Sequence, residues 1–239
     1  MDNVEKYYKE LWKIKSKQSH QDYVKKRDLF HRYFLDKIVN PYVNGRIEVT
    51  RRILPKGKRI LDIGCWGGDS TVAMGAFENF EEVYGVDLPE ESIVKAKEKG
   101  IKAFKVDLNK DRLPFNDSYF GSVTCLAVLA QVFDPYFVIQ EISRVLKPSG
   151  ELIISVPNVG SFSNRVRVLC GRKPVTSLDP DWGGGQLHNF TLYDTCKFLR
   201  DSGFKIIVKE STGGLIRLRR WWISLLCGEF VIKCKKRMQ

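Results

Sequence analysis

Hydrophobic and polar positions along the chain follow two spacings, one typical of buried strands and one typical of helices with a single apolar face. Short apolar runs bounded by polar residues predict strands, and apolar residues three or four positions apart predict the helices between them. The predicted strands cover residues 59–64, 82–87, 101–108, 120–129, 150–157, 204–211 and 229–236. The helices predicted after the first strand cover residues 69–80, 89–100, 134–147 and 192–202. Strands that alternate with helices in this way predict a parallel sheet covered by helices on both faces.

The two ends of the chain depart from this alternation. The last two predicted strands have no predicted helix between them, so we expect them to pair antiparallel at the edge of the sheet. Near the N-terminus, residues 3–54 show helical spacing that is broken at Asn40, and a second helix is expected over residues 41–54. The sequence therefore predicts an N-terminal helical cap over residues 1–56 and one compact α/β unit over residues 57–239.

Length and composition agree with one folded unit. The 239 residues are 43% hydrophobic, which is enough for one sizeable core, and no linker rich in Pro, Gly or Ser divides them. No apolar run reaches the roughly 18 to 20 residues that span a bilayer, and the N-terminus is charged from its second residue, so we expect a cytoplasmic protein. The 6 cysteines include no CxxC pair, so no metal site is predicted.

The net charge of +12 would attract nucleic acid, acidic lipid headgroups or a phosphorylated substrate, and charge alone does not choose among them. Residues 213–227 combine basic residues with Trp221 and Trp222. Such a segment is typical of peripheral membrane contact, of a lid over an acceptor site, or of a contact between subunits. Its place between the last two predicted strands favours a lid or core packing.

A glycine-containing turn follows the first predicted strand, in the stretch ILDIGCWGGDS from Ile60 to Ser70. The second predicted strand ends at Asp87. In parallel sheets, ligands bind at the carboxyl ends of the strands where strand order reverses, and an acid at the end of the second strand suits the hydroxyls of a ribose. The sequence therefore predicts a site for a ligand that contains a nucleoside.

Dinucleotides and S-adenosylmethionine both carry such a ribose. A dinucleotide site needs glycine two and five positions after Gly64, where this chain has Trp66 and Asp69. Asp69 would also place a negative charge beside the pyrophosphate. S-adenosylmethionine carries a sulfonium and an ammonium group and no phosphate, so these residues favour it over a dinucleotide.

Beyond this turn, the order of motifs resembles that of the class I S-adenosylmethionine-dependent methyltransferases. Four stretches carry the resemblance: ILDIGCWGG, VYGVDLPEESIVKAKEKG, KVDLNKDRLPFNDSYFGSV and EISRVLKPSGELIISVPN. Trp66 stands where the first motif of the family has its middle glycine. The resemblance covers about residues 57–210. It implies a Rossmann-like fold, with a mostly parallel seven-stranded sheet and an antiparallel edge strand, and it implies methyl transfer from S-adenosyl-L-methionine.

The resemblance also implies roles for individual residues. The turn would lie against the methionine part of the cofactor, the second-strand acid would bind the ribose, the third-strand acid would meet the adenine, and the end of the fourth strand would pass near the methyl group. The implied cofactor-binding residues are Asp62, Gly64, Cys65, Trp66, Gly68, Asp87, Leu88, Asp107, Leu108 and Leu126. Many relatives have Glu-His near the end of the fourth strand, where this chain has Ala130 and Gln131, so the role of that histidine is not transferred.

Methyl transfer from a sulfonium mainly requires that the acceptor be held in line, and a base is needed only when the acceptor holds a proton of high pKa. His188 is the candidate base, because a histidine recurs near this place in relatives as H-x-x-F-T, where this chain has the one-residue-shorter stretch HNFT from His188 to Thr191. The alternative is that its ring only fixes the loop through a hydrogen bond. We expect the acceptor pocket between residues 1–35, 158–189 and 213–227.

Residues 157–190 also resemble part of the methyltransferase-like proteins associated with methionine biosynthesis. The matching residues are Pro157, Asn158, Gly160, Arg165, Arg167, Gly171, Arg172, Pro174, Val175 and Thr176. This resemblance implies a second hypothesis, in which the chain binds S-adenosylmethionine as a partner or regulator of another enzyme and transfers no methyl group itself.

The sequence narrows the acceptor only to a class. Base-amino methyltransferases hold a flipped base with an N-P-P-Y or D-P-P-Y motif, whereas Asp134, Pro135 and Tyr136 lack the second proline and begin a predicted helix. Asp and Pro are ordinary residues at a helix N-cap and first position. A nucleic-acid acceptor therefore rests on net charge alone. We expect a small-molecule, glycan or lipid acceptor, and the oligomeric state stays open.

Overall fold

A computed structural model of the chain describes residues 45–174, 186–212 and 221–238. Its strands are β1 (Gly57–Ile63), β2 (Phe80–Asp87), β3 (Lys102–Lys105), β4 (Phe120–Leu126), β5 (Leu146–Pro157), β6 (Phe204–Ser211) and β7 (Glu229–Lys236). They form one seven-stranded sheet in the order β3-β2-β1-β4-β5-β7-β6. Strands β1 to β5 pair in parallel, and β7 is antiparallel to both β5 and β6. The predicted fold class is confirmed, and the antiparallel strand lies next to the outermost strand of that edge.

The helices are α1 (Arg46–Ile53), α2 (Asp69–Ala73), α3 (Ala76–Asn79), α4 (Glu90–Glu98), α5 (Pro135–Val145), α6 (Phe162–Leu169), α7 (Leu192–Asp201) and α8 (Ile223–Leu226). Helix α1 lies within the second helix predicted for the N-terminal cap, and the remainder of that cap lies outside the described residues. Helix α5 begins as predicted: the Asp134 side chain accepts hydrogen bonds from the backbone N–H groups of Tyr136 and Phe137, with Pro135 at the first position.

Several sequence predictions about elements were wrong, and among them the strand predicted over 120–129 ends at Leu126. The helix predicted over 69–80 is two short helices, because Gly75 between them has a left-handed φ of 82°. The strand predicted over 101–108 ends at Lys105, and a turn follows in which the Asn109 N–H donates to Asp107 Oδ1 over 3.0 Å. The four-residue helix α8 lies between the last two strands, where no helix was predicted.

The core lies on both faces of the sheet, as predicted for a parallel sheet covered by helices. Leu61 and Ile63 of β1 belong to a large apolar cluster, whereas Ile60 belongs to a smaller one. Successive residues of a strand point to opposite faces, so the two clusters lie on the two sides of the sheet. Ile139 of α5 packs in the large cluster and Ile93 of α4 in the smaller one.

The segment between β3 and β4 is fixed by a partly buried ion pair. Arg144 of α5 donates to the carbonyl oxygens of Leu113 (2.9 Å) and Phe115 (2.7 Å) and pairs with Glu141 (2.7 Å). The hydrogen bond from Arg144 lowers the pKa of Glu141 to about 2, so this pair stays charged. The LPF run that supports the family resemblance thus has a structural role, which is to anchor the chain before β4.

The strand order reverses at β1, since β2 pairs on one side of it and β4 on the other. The register places Ile63 opposite Val86 of β2 and opposite Cys125 of β4. The chain segments that follow these three strands therefore meet at one edge of the sheet. In open parallel sheets, this is the crevice where ligands bind.

Candidate functional site

The turn after β1 runs largely through the left-handed region of backbone space. The φ angles are 73° at Gly64, 46° at Trp66, 74° at Gly67 and 83° at Gly68. Glycine adopts such angles freely, whereas another L-residue there costs about 1 to 2 kcal/mol. Trp66 therefore has a glycine-type conformation at the position where the family motif has a glycine, and the path of the turn is retained at a cost in strain.

Two glycines of the turn are required by space as well as by conformation. A Cβ on Gly64 would lie 2.4 Å from Cγ2 of Val128, and one on Gly68 would lie 2.5 Å from Cδ1 of Ile101. The N–H groups of Gly64 and Cys65 both donate to the carbonyl oxygen of Val86, over 2.9 and 3.1 Å. The turn is thus held between the end of β2 and the segment after β4.

Asp87 is the centre of a clamp at the end of β2. Its Oδ2 accepts from the backbone N–H of Trp66 (2.7 Å) and from the hydroxyl of Ser92 (2.8 Å), and its Oδ1 accepts from the N–H of Leu88 (2.8 Å). The Ser92 hydroxyl oxygen in turn accepts from the N–H of Gly67 over 2.8 Å. Burial raises the pKa of Asp87, while these donors act in the opposite direction. The clamp fixes the turn against helix α4.

Asp62 lies beneath the turn and connects three elements. Its carboxylate is 3% exposed and accepts from the hydroxyls of Thr71 on α2 (2.5 Å) and Thr124 on β4 (2.7 Å). Burial raises the pKa of Asp62 to about 6, although the two hydroxyl donors lower it, and the charge of nearby Asp87 adds a smaller increase. Asp62 therefore stabilises the frame of the turn from below.

Cys65 faces away from the crevice. Its side chain is buried in the smaller apolar cluster, where its sulfur lies 2.8 Å from the position that a Cβ on Gly85 would take. Burial raises the pKa of the thiol, so it is neither a thiolate nor an exposed nucleophile. Cys65 contributes its backbone to the turn.

The predicted adenine-side residues lie at the next strand end. The N–H of Val106 donates to the carbonyl oxygen of Asp87 over 2.9 Å, which brings Asp107 and Leu108 beside the clamp. Asp107 is buried, and its Oδ1 accepts from both nitrogens of Asn109, over 3.0 and 3.1 Å. Leu108 is half-buried against the large apolar cluster.

Leu126 and His188 lie on the β4 side. Leu126 is half-buried at the end of β4 and packs against the smaller apolar cluster. His188 Nε2 lies 2.9 Å from the carbonyl oxygen of Val132 and 3.2 Å from that of Phe133. Carbonyl oxygens only accept, so Nε2 carries a hydrogen and donates it. The ring thus fixes the loop after β4, which is the alternative role considered for it, and its catalytic role stays a prediction.

Sequence reasoning missed the hydroxyl residues of the site, Ser92, Thr71 and Thr124. Ser92 follows two glutamates in α4, and nothing in that local pattern indicates that it bonds to both Asp87 and the turn. Sequence reasoning also missed Val128, whose methyl group occupies the space where a side chain on Gly64 would lie. Some of these contacts join residues distant in sequence: 62 positions separate Thr124 from Asp62, and 25 separate Ser92 from Gly67.

Comparisons with known proteins agree with this geometry. Residues 61–154 match a family model described as a methyltransferase domain. A protein named ubiquinone biosynthesis O-methyltransferase from Xanthomonas oryzae is 31% identical over 125 residues, which are 49% of this chain and 48% of that protein. The chain thus spans about half the length of the curated relatives it matches.

Solved structures extend the comparison to most of the chain. An S-adenosylmethionine-dependent methyltransferase from Methanosarcina mazei superposes with a TM-score of 0.60 at 24% identity, covering 80% of this chain and 98% of that one. A protein named a [4+2]-cyclase superposes with a TM-score of 0.57 at 21% identity, covering 81% of each chain. These likenesses show the fold, and the second shows that the fold by itself does not specify the reaction.

Proposed function

We propose that this chain, in which residues 61–154 match a methyltransferase domain, transfers the methyl group of S-adenosyl-L-methionine to a small-molecule, glycan or lipid acceptor. The observation that carries the proposal is the clamp in which Asp87 and Ser92 hold the left-handed turn at the reversal of strand order. The name of the O-methyltransferase relatives favours oxygen as the accepting atom.

The residues of the crevice fit this cofactor. Among the described residues, Asp87 Oδ1 accepts a single hydrogen bond, from Leu88, so it retains an acceptor position for a ribose hydroxyl. Asp62 and Asp107 add acidic groups at the same edge, which suits a sulfonium and an ammonium and disfavours a phosphate. The ammonium group of Lys99 pairs with the carboxylate of Asp69 over 2.7 Å and donates to the carbonyl oxygen of Gly67 over 2.6 Å.

The chain would contribute to the reaction mainly by positioning the cofactor and the acceptor. When bound, the cofactor supplies a methyl group on a sulfonium, which is already an activated leaving group. The turn and Asp87 would fix the nucleoside, and the segment from Leu126 to Val128 would form the wall beside the methyl group. His188 would hold the loop after this segment in place through its Nε2–H, which donates to the carbonyl oxygens of Val132 and Phe133, so we propose a positioning role for it. Holding the acceptor in line with the carbon–sulfur bond would lower the barrier as that bond breaks and the oxygen–carbon bond forms, and the hydroxyl proton of an oxygen acceptor would pass to water.

A labelling experiment tests the proposal. The chain would be incubated with S-adenosylmethionine carrying a radiolabelled methyl group and with the aqueous and lipid fractions of a cell extract, and binding would be measured separately by calorimetry. We expect cofactor binding and one labelled product. Binding without any labelled product would instead support the hypothesis of a non-catalytic partner or regulator, and a labelled nucleic acid would move the acceptor to that class. Absence of binding would contradict every one of these functions.

Cofactor affinity is expected to increase about 3- to 10-fold between pH 5 and pH 7. Asp62 has a pKa of about 6, so its ionisation over this range adds negative charge beside the cationic cofactor. The free energy of unfolding of the free protein has the opposite pH dependence. Because the pKa of Asp62 is raised in the fold, the protonated side chain stabilises the fold at low pH, and this contribution is lost as pH rises through about 6. Calorimetry at three pH values measures the affinity. Asp62→Asn should remove the dependence, and a flat wild-type profile would contradict the prediction.

Trp66→Gly is expected to leave the affinity for S-adenosylmethionine within about 3-fold of the wild type. The contact of Trp66 with the clamp is made by its backbone N–H, which donates to Asp87, and glycine keeps this donor and favours a φ of 46°. Calorimetry measures the affinity, with Trp222→Gly as the control for loss of an indole elsewhere. A gain of more than about 10-fold in Trp66→Gly would show that the ring occupies the cofactor crevice, contrary to this prediction.

A further inference from the structure

Helix α6 is attached to the fold by one side and presents apolar side chains on the other. Its buried residue is Asn164, whose side-chain nitrogen donates to the carbonyl oxygen of Asn158 over 3.2 Å. Phe162, Val166 and Leu169 lie on the far side, since each residue of a helix turns by about 100° and these three are roughly in line. They are 59%, 41% and 85% exposed. An outward apolar face of this kind marks a contact surface.

Two exposed tryptophans belong to the same part of the molecule. Trp221 and Trp222 precede helix α8 and are 92% and 63% exposed. Asn158 connects α8 to α6: its Nδ2 donates to the carbonyl oxygens of Ser224 and Cys227, each over 2.9 Å, while its own carbonyl accepts from Asn164. We call Phe162, Val166, Leu169, Trp221 and Trp222 the α6–Trp surface.

The segments that carry the α6–Trp surface are basic and contain no acidic residue. Residues 152–178 contain Arg165, Arg167, Arg172 and Lys173 and neither Asp nor Glu. The sequence of residues 211–228 contains Arg217, Arg219 and Arg220 and again neither Asp nor Glu. Four of these positive charges, Arg165, Arg167, Arg172 and Lys173, belong to the described residues on or just after α6, and the other three precede Trp221 in the sequence.

We propose that the α6–Trp surface binds the headgroup region of an anionic membrane. Tryptophan rings prefer the level of the headgroups, aliphatic side chains enter the acyl boundary, and arginines attract acidic lipids. Over the described ranges, no helix is long and apolar enough to cross a membrane. The inference does not depend on methyl transfer, because it rests on a surface outside the cofactor crevice.

Other occupants fit the same surface less well. In a symmetric contact with a second copy, the same patch meets itself, and Arg165, Arg167 and Arg172 of one copy would come near those of the other. Nucleic acid would use the arginines and the tryptophans, but it offers little to exposed aliphatic side chains such as Leu169 and Val166. In a lid, the tryptophan rings would be buried against the acceptor site, whereas Trp221 is 92% exposed.

Vesicle co-sedimentation of the full chain tests the proposal. We expect at least about 10-fold tighter binding to vesicles that contain an anionic phospholipid than to vesicles of zwitterionic lipid alone. The variant Trp221→Ser with Trp222→Ser should lose at least about 10-fold in binding to the anionic vesicles, and Phe162→Ser with Leu169→Ser should lose a similar factor. All four side chains are exposed, so circular dichroism should show an intact fold.

A matched control separates this surface from the general positive charge of the protein. Arg200, Lys205, Lys209 and Arg237 line a shallow groove of about 410 Å³ at strand β6, at the edge of the sheet. Arg200→Gln with Lys205→Gln should leave vesicle binding within about 2-fold of the wild type. An equal loss in this control, or no loss in the tryptophan variant, would overturn the proposal. Two other results would overturn it as well. One is a wild-type dimer that binds no vesicles and that the tryptophan variant converts to monomers. The other is that these residues bind oligonucleotides and not vesicles.

Discussion

Asp87→Ala is expected to weaken S-adenosylmethionine binding by about 100-fold or more. The substitution removes the proposed acceptor for the ribose, and hydrogen bonds to a charged group contribute about 1.5 to 3 kcal/mol each, where 1.4 kcal/mol is a factor of ten in affinity. It also removes the acceptor of the N–H of Trp66 and of the Ser92 hydroxyl, so the turn loses its clamp. Calorimetry on the purified variant measures the loss.

Two variants separate the role of Asp87 from a general effect of charge. Asp69→Asn removes an acid on the same turn that is 84% exposed and paired with Lys99, and it should change the affinity by less than about 3-fold. Asp87→Asn keeps the shape and an oxygen acceptor, so it should lose less than Asp87→Ala. An affinity of Asp87→Ala within about 3-fold of the wild type would mean that the ribose contact is made elsewhere.

The strands of the fold were the most predictable part, because their boundaries are set by local signals. Strands β6 and β7 have the predicted bounds, 204–211 and 229–236. Gly203, with a φ of 86°, precedes the first strand and Gly228 precedes the second. A glycine before an apolar run is a local signal of a turn, so both strand starts could be predicted. The end of helix α4 was located in the same way, by Gly100 with a φ of 83°.

The rest of the fold depended on context that a local pattern lacks. The break at Gly75 was missed because an isolated glycine is tolerated inside a helix, and only its left-handed conformation in the structure divides the element. The strand expected to reach residue 108 stops at Lys105 because the Asp107 side chain caps its own turn through Asn109. Both wrong predictions concern a residue whose backbone conformation or side-chain hydrogen bonds depend on the three-dimensional structure.

The candidate site shows the same division. Its acids and glycines could be placed from their positions at strand ends, since those positions follow from the order of strands. The hydroxyl groups that orient them could not, because Thr124 meets Asp62 across 62 positions. Likewise, Asn158 binds α8 and the residue after it by hydrogen bonds to residues 66 and 69 positions away. Sequence reading therefore located the proposed ligand-contacting layer and missed the layer that supports it.

Gly64→Ala is expected to lower the free energy of unfolding by about 2 to 5 kcal/mol. A left-handed φ of 73° costs alanine about 1 to 2 kcal/mol, and a Cβ only 2.4 Å from Cγ2 of Val128 adds an overpacking cost of about 1 to 3 kcal/mol. Movement to relieve the clash would pull the N–H of Gly64 from the carbonyl oxygen of Val86 and open the turn, so cofactor affinity should fall as well. Urea unfolding measures the stability.

Two further variants divide this cost into its parts. Gly203→Ala has a similar φ of 86° and no atom within 4 Å of the new Cβ, so it measures the backbone cost alone, about 1 to 2 kcal/mol. Val128→Ala, introduced into Gly64→Ala, removes the clashing methyl group and should restore stability by about the difference between the two glycine variants. Equal costs for Gly64→Ala and Gly203→Ala, with no rescue by Val128→Ala, would show that the contact with Val128 does not require glycine at position 64.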